Sequence, residues 1–146
     1  MIKTGCSYHS IIKASGIYDI LVLLPFAIPG IVEIVFTLIN KTHDDLALTG
    51  SLPEFLPYHF MFVNIMAIIS IVWAVIRIRN PIHLYACYDT ITRLLIAANM
   101  LVYLLYYDIT QIIWLFFIAE VSWAILQING YFYKNTNAVQ TLSTLV

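Results

Sequence analysis

The chain has 146 residues, of which 62% are hydrophobic and only 10% charged, with a formal net charge of -1 from 7 Lys and Arg against 8 Asp and Glu. With a mean hydropathy of +0.89 it has too little polar surface to cover a soluble domain, and it reads as one integral membrane domain over residues 1–146. The charge balance offers no basic stripe for nucleic acid, and two cysteines without a C-x-x-C pair supply no disulfide framework, dithiol centre or zinc site.

A hydrocarbon layer about 30 Å thick needs roughly 20 mainly apolar residues per helix. Four stretches meet that length, at residues 17–39, 58–78, 84–106 and 109–128. The residues ahead of the first span resemble the start of a signal peptide, but the apolar stretch that follows is too long for one and is read as retained. Pro25 and Pro29 within it remove two backbone donors and predict a kink, with Glu33 one turn beyond. The first break, Asn40 to Pro57, collects Lys, Asp, Gly, Glu and two prolines. Asn40-Lys41-Thr42 matches a glycosylation acceptor but abuts the membrane surface, and it is read as unused. Arg77, Arg79, Asn80 and Pro81 end the second span, and Tyr107 to Thr110 form a short third break. Such short connections predict that the second and third spans, and the third and fourth, are antiparallel neighbours.

Lys3, Lys13, Arg77, Arg79 and Lys134 fall on one side of these spans and Lys41 alone on the other. This bias predicts cytoplasmic termini and an external first loop. The fold class is therefore all-α, a four-helix transmembrane bundle. The aromatic residues Tyr103, Tyr106, Tyr107 and Trp114 at one set of span ends, and Tyr131, Phe132 and Tyr133 at the other, match an interfacial belt. Ser70 and Ala74 make a small-xxx-small step suited to close helix approach or an oligomer contact.

Ionisable groups inside a bilayer need partners or water. Counting depth at about 1.5 Å per residue puts Asp19, Asp89, Arg93, Glu120 and Gln127 in the cytoplasmic half, and Glu33, His59, Asn64 and Asn99 in the outer half. Asp89 and Arg93, four apart on one helix, share a face and can pair. Glu120 lies near the depth of Arg93, and Asp19 joins them if the first span packs there. One arginine cannot neutralise three carboxylates, so the surplus is a proton site, a cation site or part of a register-fixing ion-pair network. Asn64 and Asn99 are placed to bond across the interface of the second and third spans.

Histidine-held haem is disfavoured because His59 and His83 sit at opposite ends of their helices, with His9 and His43 outside the spans. The group His43, Asp44, Asp45 and Glu54 in the first loop is explained by solvation without a metal. No nucleophile, base and orienting acid occur together, and no glycine-rich phosphate cradle is present, so the chain is read as non-enzymatic and without a cofactor. Small multidrug transporters share the four-helix architecture and a carboxylate on the first helix, a part that Glu33 would play here, but they lack the long acidic first loop.

Several segments read together carry a family resemblance: Tyr18-Asp19-Ile20, Pro25-Phe26-Ala27-Ile28-Pro29-Gly30, Pro53-Glu54-Phe55-Leu56-Pro57-Tyr58-His59, Trp73 through Arg77, Tyr88-Asp89 with Arg93, and Glu120 with Trp123 and Gln127. From Ile17 to Gln127 the chain resembles the BphX-like family of small bacterial membrane proteins, some encoded beside aromatic-hydrocarbon degradation genes. The resemblance implies a bacterial inner membrane, no established activity and a link to apolar aromatic compounds. It carries over no catalytic residues.

The leading expectation is a non-enzymatic inner-membrane protein, in contact with membrane lipids, that binds a small apolar ligand, a lipid or a protein partner. Glu33, His59, Asp89, Arg93 and Glu120 are its candidate site residues, with Arg93 as the central cation. Two alternatives stand beside it: proton- or cation-coupled transport by a homo-oligomer, with Glu33 or Glu120 changing protonation, and a structural subunit of a larger membrane complex.

Overall fold

A computed structural model describes residues 8–143, with side chains described from 8 to 132. The helices are α1 (Tyr8–Leu23), α2 (Ile31–Asp45), α3 (Pro57–Arg79), α4 (His83–Tyr106) and α5 (Ile113–Ser143), and a single 3-10 turn, Leu24–Ala27, follows α1. Among the described residues, four segments are long and apolar enough to cross a membrane: Tyr8–Ala27, Pro57–Arg79, His83–Tyr106 and Ile113–Phe132.

The first of these corrects the expected span of 17–39. The helix is already formed at Tyr8, the first described residue, and the chain breaks rather than kinks at Ile28-Pro29-Gly30, where Gly30 takes a φ of +82°. Two prolines four apart take away successive backbone donors, and a glycine with positive φ cannot continue a right-handed helix. Asn64 of α3 reaches into the break and donates from Nδ2 to the Phe26 carbonyl at 2.7 Å. That bond replaces the expected Asn64 to Asn99 pair, and Asn99 is exposed on α4. The fourth span begins at Ile113 and not at 109, because Asp108, Thr110 and Gln111 are engaged by the first loop.

The interior is built from small and polar residues. Ala67, Ala74, Ala86, Ala97 and Ala124 are buried, whereas Leu21, Leu95 and Leu115 are 66–69% exposed. A soluble protein would have the reverse arrangement. Where lipid tails are as apolar as leucine, small residues at the helix interfaces let backbones approach, and polar side chains meet one another inside.

The closest helix pairs are α1 on α3 and α4 on α5, with α1 also packing on α5. At Gly16 of α1 a Cβ would lie 3.1 Å from the Ala74 carbonyl of α3. Ala74 therefore serves this internal contact and not an oligomer face. The α3 and α4 hairpin partners meet largely through side chains, as in the Trp73 and Tyr85 rings, 5.7 Å apart. The predicted pairing of the third and fourth spans is the α4 and α5 contact.

At the end bearing Glu54 and Asp108, the two connections fasten to each other. Ser51 N–H donates to the Asp108 carbonyl at 2.8 Å, Thr110 N–H to the Ser51 carbonyl at 3.1 Å and Gln111 N–H to the Thr49 carbonyl at 3.3 Å. His43 Nδ1 lies 2.8 Å from the Thr110 hydroxyl. Phe36, Phe55 and Phe60 pack beneath, tying α2 to α3. Gly50 allows the close approach, with a φ of +90° and a position where a Cβ would stand 2.1 Å from the Ile109 carbonyl oxygen. Gly50→Ala should therefore accelerate amide exchange at Ser51 and Thr110 about tenfold, the equivalent of roughly 1.4 kcal/mol of strain. Unchanged exchange would show that the clasp absorbs a side chain there.

Candidate functional site

The interior holds a charge cluster to which α1, α3, α4 and α5 all contribute. Asp89 and Arg93 stand one helical turn apart on α4, and Arg93 Nε donates to Asp89 Oδ2 at 2.9 Å. From α5, Glu120 Oε2 accepts from Arg93 Nη1 at 2.8 Å. From α1, Asp19 accepts from Arg93 Nη2 at 2.8 Å on Oδ1 and 2.6 Å on Oδ2. The expected pairing of Asp89, Arg93 and Glu120 is thus present in the geometry, with Asp19 added. Because α1 begins at Tyr8, Asp19 lies deep in its span and not near its start.

The cluster has a second cation. Arg77 of α3 is fully buried and bonds Asp19 through Nη2 and Asp89 through Nη1. The expectation that Arg77 belongs with the loop cations is corrected here. Its guanidinium turns inward because Asp19 and Asp89 need a second donor and α1 packs tightly on α3. The Trp73 ring, one turn back, lies 6.0 Å from the Arg77 guanidinium carbon. The Trp73 indole N–H donates to Asp89 Oδ1 at 3.3 Å. Arg77 Nε is buried without an acceptor among the described residues.

Neutral side chains close the network. Ser15 of α1 accepts from Arg77 Nη1 at 3.0 Å and from Gln127 Nε2 of α5 at 3.1 Å, while its own hydroxyl donates to the Ile12 carbonyl. Gln127 Nε2 also donates to Asp89 Oδ2 at 2.7 Å, and Gln127 Oε1 accepts from the Thr90 hydroxyl at 2.6 Å. Asp89 is the hub, with donors from Trp73, Arg77, Arg93 and Gln127. Such dense pairing is what allows carboxylates and guanidiniums to sit together in an apolar medium.

Beside Thr90 and Gln127 opens a cleft of about 370 Å³. Tyr8, His83, Cys87 and Tyr131 contribute to its lining, so that α1, α4 and α5 all border it. The His83 and Tyr131 rings stack at 4.3 Å, and Tyr8 Oη lies 3.2 Å from His83 Nδ1. Cys87 is exposed.

The other two candidate residues lie apart from this site. Glu33 is exposed in the first turn of α2, outside the four apolar segments. The carboxylate carried by the first membrane-crossing segment is Asp19. His59 lies at the start of α3, where its Nδ1 accepts from the Leu56 N–H at 3.0 Å and its ring meets Phe55. Among the described residues, no group of three or more His, Cys, Asp and Glu is placed to hold a metal ion.

No known family model, characterised protein or solved structure matches the chain. The site therefore has to be read from its own chemistry. It consists of an internally paired charge cluster and a largely apolar cleft whose lining shares Thr90 and Gln127 with that cluster. Sequence reasoning missed Arg77, Ser15 and Thr90. Trp73 and Arg77, four apart on α3, and the excess of carboxylates over Arg93 were the signals that pointed to a missing cation.

Proposed function

We propose that this chain is a non-enzymatic, multi-pass inner-membrane protein that binds a small apolar molecule carrying one polar group in the cleft between α4 and α5. The carrying observation is the cleft itself. Its volume of about 370 Å³ falls within the common range for small-molecule sites, roughly 300–1,000 Å³, and its apolar walls include a few convergent polar groups. Tyr8, His83 and Tyr131 offer aromatic surface, and the half-buried Thr90 hydroxyl, whose hydrogen is given to Gln127, offers its oxygen as an acceptor to a polar end. The charge cluster acts as the frame that holds Gln127 in position.

The topology belongs to the same proposal. With Arg77 turned inward and Lys13 inside the Tyr8–Ala27 segment, Lys3, Arg79 and Lys134 remain on one side against Lys41 on the other, which still favours cytoplasmic termini. The cleft then opens near the cytoplasmic surface, within reach of molecules dissolved in the inner half of the bilayer.

Cys87 provides the test. In a Cys6→Ser background, reconstituted in phosphatidylcholine vesicles, Cys87 should be alkylated by N-ethylmaleimide. The reaction should slow several-fold, saturably, with biphenyl, and at lower concentration with 2-hydroxybiphenyl. Thr90→Val should erase the preference for the hydroxylated probe. Equal alkylation rates with and without either probe would overturn the reading.

A further inference from the structure

Within the four membrane-crossing segments, the cluster contains two guanidiniums, Arg77 and Arg93, and three carboxylates, Asp19, Asp89 and Glu120. Guanidiniums do not deprotonate in proteins, so with every acid ionised the cluster carries one uncompensated negative charge in a low-dielectric interior. Moving a bare charge into such a medium is unfavourable enough that a titratable group takes up a proton instead.

The bond inventory decides which acid takes the proton. Asp89 receives donors from Trp73, Arg77, Arg93 and Gln127. Asp19 is bonded by both guanidiniums. Glu120 has a single donor, Arg93 Nη1 on Oε2, and its Oε1 accepts no bond among the described residues. It is also the most accessible of the three, with its side chain 20% exposed against 13% for Asp19 and 5% for Asp89.

The surroundings of Glu120 agree. From α1 it faces the like charge of Asp19 and the Tyr18 phenol, and from α4 the like charge of Asp89 and the opposite charge of Arg93. On α3, Arg77 bonds Asp19 and Asp89. Its own helix α5 adds the neutral Trp123 ring, packed on Tyr18 at 5.5 Å.

We infer that Glu120 is a proton-binding site, holding one proton in the folded protein at neutral pH and exchanging it at the exposed edge of the cluster. When the proton leaves for water, the carboxylate keeps its bond to Arg93 and the cluster becomes singly negative. When it returns, the cluster is neutral. This inference rests on the charge cluster and is independent of ligand binding in the cleft.

Infrared spectroscopy of the full chain in lipid nanodiscs, titrated in pH, tests it directly. A protonated carboxyl has a carbonyl stretch separate from that of a carboxylate. Carbon-13 labelling of glutamate separates Glu33, Glu54 and Glu120 from the aspartates, and Glu120→Gln separates Glu120 from the exposed Glu33 and Glu54. The expected spectrum has one such band at neutral pH, shifted by carbon-13 labelling of glutamate, lost in alkali, lost in Glu120→Gln and displaced in Glu120→Asp. Glutamate labelling reports on the unmutated protein, so the result does not depend on any variant folding. Absence of the band in the wild type, its insensitivity to glutamate labelling or its survival in Glu120→Gln would overturn the inference. A band that appears only when sodium is withdrawn would do the same, by assigning the site to a metal cation.

Discussion

Replacing Arg77 with methionine should destabilise the protein by about 3–5 kcal/mol, the cost of breaking a buried ion pair by removing one partner. Methionine matches the length of the arginine stem and suits an apolar medium, so packing changes little. The loss comes from the groups left behind. Asp19 keeps only Arg93 as a cation, Asp89 loses one of its two, and Ser15 loses a donor. Two carboxylates would then compete for Arg93, already bonded to Glu120. Equilibrium unfolding by sodium dodecyl sulfate in mixed micelles, followed by tryptophan fluorescence, reads the change. A shift equivalent to less than about 1 kcal/mol, the range of exposed pairs, would show that Arg77 escapes to the surface and is not part of the cluster.

The second large effect concerns Asp89. Asp89→Leu should cost a similar 3–5 kcal/mol, because it leaves Arg77, Arg93, Gln127 and Trp73 each short of an acceptor in the interior. The informative variant combines both changes. In Arg77→Met with Asp89→Leu, one positive and one negative group disappear together, and Asp19 and Glu120 remain with Arg93. The double variant should therefore be less destabilised than the sum of the two single ones by about 0.5–3 kcal/mol, the usual range for directly contacting residues. Simple additivity in the same unfolding assay would mean that the two side chains do not interact.

The contrast between Arg77 and Arg93 shows what the amino-acid sequence reveals of such a site. Arg93 lies four residues from Asp89 inside an apolar stretch, so its pairing follows from helix geometry alone. Arg77 lies two residues before Arg79 and three before Asn80-Pro81, where a basic side chain ordinarily reaches toward the headgroups. Its inward turn depends on α1 presenting Ser15 and Asp19 to it, a tertiary contact that no local pattern encodes. The first span illustrates the same division. Its apolar length was legible and its prolines marked a distortion, but the full break depends on Gly30 and on Asn64 bonding the Phe26 carbonyl. Glu33 was drawn into the candidate site by treating residues 17–39 as one helix. Once the chain breaks at Pro29 and Gly30, that depth estimate no longer holds.

The clasp between Ser51 and residues 108–110 bears on how the bundle opens. The bonds donated by the Ser51, Thr110 and Gln111 amides run from peptide to peptide, so they neither titrate nor depend on rotamer choice. At the opposite end, the helices meet through side chains such as Tyr8, His83 and Tyr131, which can swing aside individually. Thermal fraying should therefore be lopsided, like a zipper with one end stitched shut. Helix separation would begin at the Tyr8 end and propagate toward the clasp.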